Sequence, residues 1–108
     1  MKGLTVLAML ASMGGLLAAQ PLIEGNPKSA VRVIIYEDLQ CPDCNVLRRM
    51  MDEKLLPKYG AEVAFEHRDF PLARHAWARK AAVASRFFQE ISPELALTFR
   101  RQMMADIR

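Results

Sequence analysis

The sequence predicts one α/β domain, and three observations carry that prediction. Val31 to Tyr36 is a compact run rich in Val and Ile, with the length and β-branched character of a buried strand. A second run, Glu62 to His67, sets Val63 and Phe65 on one face of a further strand. Between them Val46, Leu47, Met50, Met51 and Leu55 recur at helical spacing. Strand, helix, strand with a crossover of this length implies parallel strands joined right-handedly. The 108 residues suffice for one domain and no more.

Composition narrows the class. The chain is 52% hydrophobic and 25% charged, which suits a globular protein rather than a disordered one. Its net charge of +3 is spread out and interleaved with acids, as in Arg48, Arg49, Asp52, Glu53 and Lys54. That is a solvated helix surface, and no basic stripe marks a nucleic-acid partner. There is no internal repeat.

The elements follow in order. Residues 1–19 hold one lysine after the start methionine, an uncharged apolar run, and small residues Ala18 and Ala19 before Gln20 and Pro21. This is the layout of a secretory signal peptide. Leu17 stands where a small residue is preferred for cutting, so an uncleaved N-terminal membrane anchor is kept as the second reading. Either one exports the rest of the chain to an oxidising compartment. Residues 20–30, with two prolines, a glycine and an asparagine, read as a linker. The domain is expected over 31–108.

After the first strand, "EDLQ" is a loop and Pro42 takes a first helical position, where its missing N–H costs nothing. The helix is expected over 42–56, with Pro57 as its stop. Pro71 breaks the second strand. Residues 73–90 read as a helix with Ala76, Trp77, Ala81, Ala84, Phe87 and Phe88 on its apolar side. Ser92 reads as an N-cap, Pro93 as the first position of the next helix and Glu94 as its first-turn acid.

The chain's two cysteines, Cys41 and Cys44, fall where the loop enters the first helix. A thiol there faces unpaired backbone N–H groups and the positive end of the helix dipole, and both stabilise a thiolate. Two residues of spacing, wound into one helical turn, bring the sulfurs close enough to bond. Cys41, nearer the exposed end, would attack a substrate, and Cys44 would resolve the mixed disulfide; this exchange needs no cofactor. Two other readings stand beside it. Zinc would need His67 and His75 as further ligands, but seven residues separate them where finger spacing wants 3 to 5. A purely structural disulfide would close so small a loop that it removes little chain entropy. No metal site is expected. Glu37 and Asp38 read as loop and capping residues before the motif, with a proton acceptor for Cys44 as the alternative. His75 and Trp77 read as packing and capping residues.

"EDLQCPDC" after a Val/Ile strand, then "FEHRDFPL" and the helix "HAWARKAAVASRFF", resembles the DsbA-like thiol–disulfide oxidoreductases of the thioredoxin superfamily. In that family a Cys-Pro-X-Cys motif opens a helix, the second strand runs into an Asp-Phe-Pro-Leu stretch (here Asp69 to Leu72), and a histidine-led, alanine-rich helix begins the helical insertion. The resemblance covers Val31 to about Phe88. It implies a thioredoxin-like fold, of which this chain holds the N-terminal β-α-β part and the start of the helical insertion. It implies Cys41 as nucleophile, Cys44 as resolving cysteine, a Cys41–Cys44 disulfide in the oxidised form, and Pro42 and Asp43 as the pair that tunes the potential. The implied partners are cysteine-containing exported proteins and a redox partner that resets the dithiol, in the periplasm or another extracytoplasmic space.

The chain departs from the family in two ways. Asp43 replaces the histidine or aromatic residue often found there, and a carboxylate beside Cys41 opposes its thiolate. A weaker oxidant is the expectation. The family's cis-proline loop, two further strands and last helix have no counterpart before Arg108, so the chain is expected to be an incomplete domain with an unpaired sheet edge. The competing reading is a non-catalytic thioredoxin-like binding module or inactive fragment.

Overall fold

The computed structural model describes residues 20–107. The signal or anchor expected over 1–19 lies outside them. Eight segments follow one another: strand β1 (Leu22–Gly25), strand β2 (Arg32–Glu37), helix α1 (Pro42–Met50), a π turn (Met51–Leu55), helix α2 (Leu56–Tyr59), strand β3 (Ala64–Asp69), helix α3 (Ala78–Ile91) and helix α4 (Pro93–Ala105).

The sheet has the order β1-β3-β2. β2 and β3 are parallel, as the crossover implied, with Val33 opposite Phe65 and Ile35 opposite His67. β1 runs antiparallel on the far side of β3, with Leu22 opposite His67. β1 corrects the sequence reading, which placed a linker over 20–30 and began the domain at Val31. Leu22 and Glu24 alternate inward and are buried. Pro21 precedes the strand, Gly25 ends it, and Asn26 and Pro27 belong to the turn that leaves it. Gly25 has φ +82, and a side chain there would run into the Val63 carbonyl. Asn26 then donates its N–H to Val63 O at 2.9 Å and its side-chain amide to Ala61 O at 3.1 Å.

The first helix outruns its expected stop. Pro57 lies within the first turn of α2, where its missing N–H leaves no bond unmade. The π turn before it shifts the ladder by one residue, so the Leu56 N–H reaches back to Met51 O. β3 begins two residues later than expected. The amides of Glu62 and Val63 both bond Tyr59 O at 2.9 Å, and the chain pairs in the sheet only from Ala64. α3 likewise starts at Ala78 rather than 73, because turns fill 73–77. Ser92 caps α4 as its sequence predicts, accepting from the Leu95 N–H at 3.0 Å.

The helices stack on the sheet face that carries Ile35, Glu37, Phe65 and His67. Ile35, Met51 and Phe65 form one buried cluster, walled by Leu47, Leu55, Leu56 and Val63. Leu39, Ala81 and Met104 form another, walled by Cys44, Trp77, Phe99, Met103 and Ile107. Fully burying one such large side chain contributes about 1.5–3 kcal/mol. The opposite face holds exposed Ile34 and Tyr36, and Phe70 stacks edge-on to Tyr36 with ring centroids 6.3 Å apart. The outer edge of β2 has no neighbouring strand among the described residues.

Candidate active site

The second cluster positions the cysteines. Leu39 is anchored in it, so the loop from β2 turns at that point and delivers Cys41 to the N-cap of α1. The Cys41 N–H bonds Asp38 O at 3.0 Å, and its carbonyl accepts the Asn45 N–H at 3.2 Å. Its φ of −83 and ψ of 124 are extended, and its thiol makes no capping hydrogen bond. The first-turn amides are therefore open to a thiolate. Pro42 opens the helix, and Asp43 is an exposed first-turn acid.

Cys44 sits one turn deeper, against Leu39, Ala81 and Met104. Both cysteines are free thiols. Burial pushes the Cys44 thiol up to about 11, the neighbouring Cys41 sulfur and the Glu37 carboxylate add to this, and the Asp38 N–H aimed at Cys44 Sγ from 3.5 Å opposes it. The helix thus offers one sulfur at its mouth and holds the other as a neutral thiol beneath.

Asp38 is the organiser of the loop. Its Oδ1 accepts the Gln40 N–H at 2.7 Å, and its Oδ2 accepts the Leu72 N–H at 2.8 Å and faces His75 Nδ1 at 2.7 Å. Burial works against its charge, but the Leu72 and Gln40 amides and His75 outweigh burial and hold the carboxyl below its ordinary range. Gln40 in turn accepts the Trp77 N–H at 2.8 Å. These bonds clamp the 72–77 segment against the cysteine loop. A cavity of about 410 Å³ opens beside the motif, lined by Gln40, Pro42, His75, Trp77, Asp106 and Ile107.

The two histidines do not join the cysteines. His75 is taken by Asp38, and His67 lies mid-sheet between two carboxylates. Among the described residues no three potential ligands converge as a metal site would require. Nor is Glu37 a loop residue: it ends β2, buried, in a set of charges that pattern reading missed. His67 Nδ1 lies 2.9 Å from Glu37 Oε1, and His67 Nε2 lies 2.8 Å from Glu24 Oε1 without hydrogen-bond alignment. Arg100 of α4 reaches Glu37 Oε1 at 2.7 Å and Asp69 Oδ1 at 2.6 Å. Arg48 of α1 pairs with Glu24 and, at 2.6 Å, with Asp52. Burial opposes ionisation of Glu24, yet His67 and Arg48 hold it down to about 2. Burial opposes protonation of His67, yet Glu24 and Glu37 raise it above its ordinary value. The visible signal was inward parity: Glu37 shares the face of Ile35, and His67 that of Phe65.

A protein-family model described as thioredoxin matches residues 18–106. Among solved structures, Wolbachia pipientis alpha-DsbA1 superposes with a TM-score of 0.70 at 25% identity, covering 83% of this chain and 44% of its own. The thiol-disulfide exchange protein alpha-DsbA2 from the same organism gives 0.69 at 23% identity, covering 82% of this chain and 45% of its own. Oxidised BdbD from Bacillus subtilis gives 0.65 at 19%, covering 82% and 48%. The last two show the fold alone. The chain therefore spans less than half the length of these structures, and the fold they share with it is thioredoxin-like with part of a helical insertion. Comparison with curated proteins gives no match.

Proposed function

This chain belongs to the thioredoxin family, and from that premise we propose that it is a thiol–disulfide oxidoreductase of the DsbA type, acting through the Cys41-Pro42-Asp43-Cys44 dithiol on cysteines of exported proteins. The observation that carries this reading is the pairing of an uncapped Cys41 at a helix N-terminus with a half-buried Cys44, kept as a thiol, one turn below. In the oxidising direction a substrate thiolate attacks Cys41 Sγ, the Cys41–Cys44 bond breaks, and the electron pair leaves on Cys44. A second substrate thiolate then attacks the mixed disulfide and releases Cys41. The products are a substrate disulfide and the reduced dithiol, which a redox partner reoxidises.

Pro42 and Asp43 tune the potential in this account. The Asp43 carboxylate disfavours the Cys41 thiolate and makes the disulfide the milder oxidant. Export rests on the signal-like or anchor-like segment 1–19 and gives an extracytoplasmic setting in which the disulfide persists. None of the described helices is long and apolar enough to cross a membrane.

The test is catalysed oxidation of a reduced two-cysteine peptide by the full chain in a glutathione buffer. Turnover that disappears in Cys41→Ser supports the proposal. Wild-type turnover no faster than buffer, with Cys41→Ser indistinguishable, leaves the non-catalytic binding module.

A further inference from the structure

We propose that His75 is the proton acceptor for an incoming substrate thiol, and that the cavity it lines beside Cys41 seats the substrate segment carrying that thiol. This rests on the exchange reading above.

His75 lies in the turn before α3 and is pinned by one contact. Its Nδ1 meets Asp38 Oδ2 at 2.7 Å, and Asp38 is buried and held ionised by two backbone amides. A carboxylate at Nδ1 takes the N–H and leaves the lone pair on Nε2. Among the described residues nothing hydrogen-bonds that Nε2. The side chain is 16% exposed, so the ring is held by the protein yet open at the cavity. Pro42, the residue bonded to Cys41, forms another wall, and Trp77 and Ile107 supply apolar surface. Asp38 also aims its own N–H at Cys44 Sγ. One residue therefore positions the imidazole and the resolving sulfur together.

The groups that bear on His75 are few. Asp38 contributes from the loop after β2, Asp106 lines the cavity from the end of α4, Cys41 and Cys44 lie at the start of α1, and Arg74 precedes it in the chain. The substrate S–H proton passes to His75 Nε2, the thiolate forms a bond to Cys41 Sγ, the Cys41–Cys44 bond breaks, and its electron pair stays on Cys44. Cys44, favoured as a thiol by burial, then takes the proton. A second substrate thiol then attacks the mixed disulfide and releases Cys41, which completes the two-electron oxidation of the substrate thiols and the reduction of the Cys41–Cys44 disulfide to the dithiol.

The test compares two thiols reacting with the oxidised full chain at pH 7. One is a cysteine peptide, mostly protonated. The other is thionitrobenzoate, already ionised and in no need of a base. In His75→Ala the peptide rate divided by the thionitrobenzoate rate falls roughly 10²-fold, the low end of positioned proton transfer, and added imidazole restores it. Should His75→Ala fail to fold by circular dichroism, His75→Gln carries the same comparison, since its amide can replace Nδ1–H toward Asp38 without accepting a proton. An unchanged ratio in the folded variant, or a loss in His75→Ala that imidazole does not relieve, overturns the proposal. Wild-type chain that reacts with neither thiol overturns the exchange reading itself, a distinct outcome from a reactive chain with no His75 dependence.

Discussion

His67 Nδ1 lies 2.9 Å from Glu37 Oε1 in the middle of the sheet, both side chains almost wholly buried. With Glu24 on the other ring nitrogen, the imidazole is flanked by carboxylates on both sides, and the imidazolium is the form that serves both. Arg48 and Arg100 balance the acids from α1 and α4. The network ties each strand of the sheet to a helix.

Stability should therefore depend on pH in two opposite ways. The pKa of His67 is raised above 6.5, so its contribution is complete below that value and is lost as pH rises through the folded-state value. Glu24 is lowered from 4.5 to about 2, so its contribution is present above 4.5 and is lost as pH falls toward 2. Urea midpoints should be highest from about pH 5 to 6.5 and decline on both sides. His67→Gln should cost roughly 3–5 kcal/mol at pH 6, since it leaves two buried carboxylates short of a partner. It should also shrink the alkaline decline. A pH-independent midpoint for the wild type would count against the charged network.

Cys44 should alkylate slowly. With its thiol pushed up to about 11, neutral pH leaves it thiolate-poor by roughly two orders of magnitude against an ordinary cysteine near 8.5. Iodoacetamide on Cys41→Ser should show this lag, and the rate should keep climbing past pH 9. Cys44→Ser should alkylate faster at every pH below that. Equal rates in the two variants would remove the distinction between outer and inner sulfur.

Asp43→Asn removes a negative charge beside Cys41 and should make the dithiol a stronger oxidant. The charge is exposed, so the effect is modest: about 0.5–1 kcal/mol at most, or roughly 10–20 mV more positive. Equilibration with glutathione redox buffers, read by mass after acid quench, measures the shift. An unchanged potential would show Asp43 acting only as a first-turn helix residue.

The outer sheet face should govern solubility more than chemistry. Ile34 and Tyr36 lie exposed on β2, whose outer edge is unpaired among the described residues. Ile34→Lys should raise the soluble fraction and change exchange rates by less than about twofold, since surface changes stay within about 0.5 kcal/mol. Light scattering and peptide oxidation on the same sample check both halves.

The cysteine-bearing part of this fold was legible because local chemistry decides it. Pro42 after Cys41, and Ser92-Pro93-Glu94, are helix starts whatever surrounds them. The parallel β2–β3 pair followed from the crossover alone. β1 was not legible, because four residues among prolines and glycine carry no periodicity, and their strand exists only through pairing with β3. Pro57 misled for a related reason: a π turn moved it to a position that tolerates proline. The Glu24–His67–Glu37 set lies on three strands, and only the sheet register brings them together. From the sequence alone His75 reads as a packing and capping residue; its contact with Asp38, 37 residues earlier, exists only in the fold.

The most direct measurement is mixed-disulfide trapping. Full-length chain carrying Cys44→Ser is incubated with a peptide disulfide at pH 7, quenched with acid and weighed by mass spectrometry, beside Cys41→Ser treated identically. A stable adduct is expected on Cys41 in the first variant and little or none in the second. No adduct in either, or equal adducts in both, would contradict Cys41 as the nucleophile and with it the exchange mechanism.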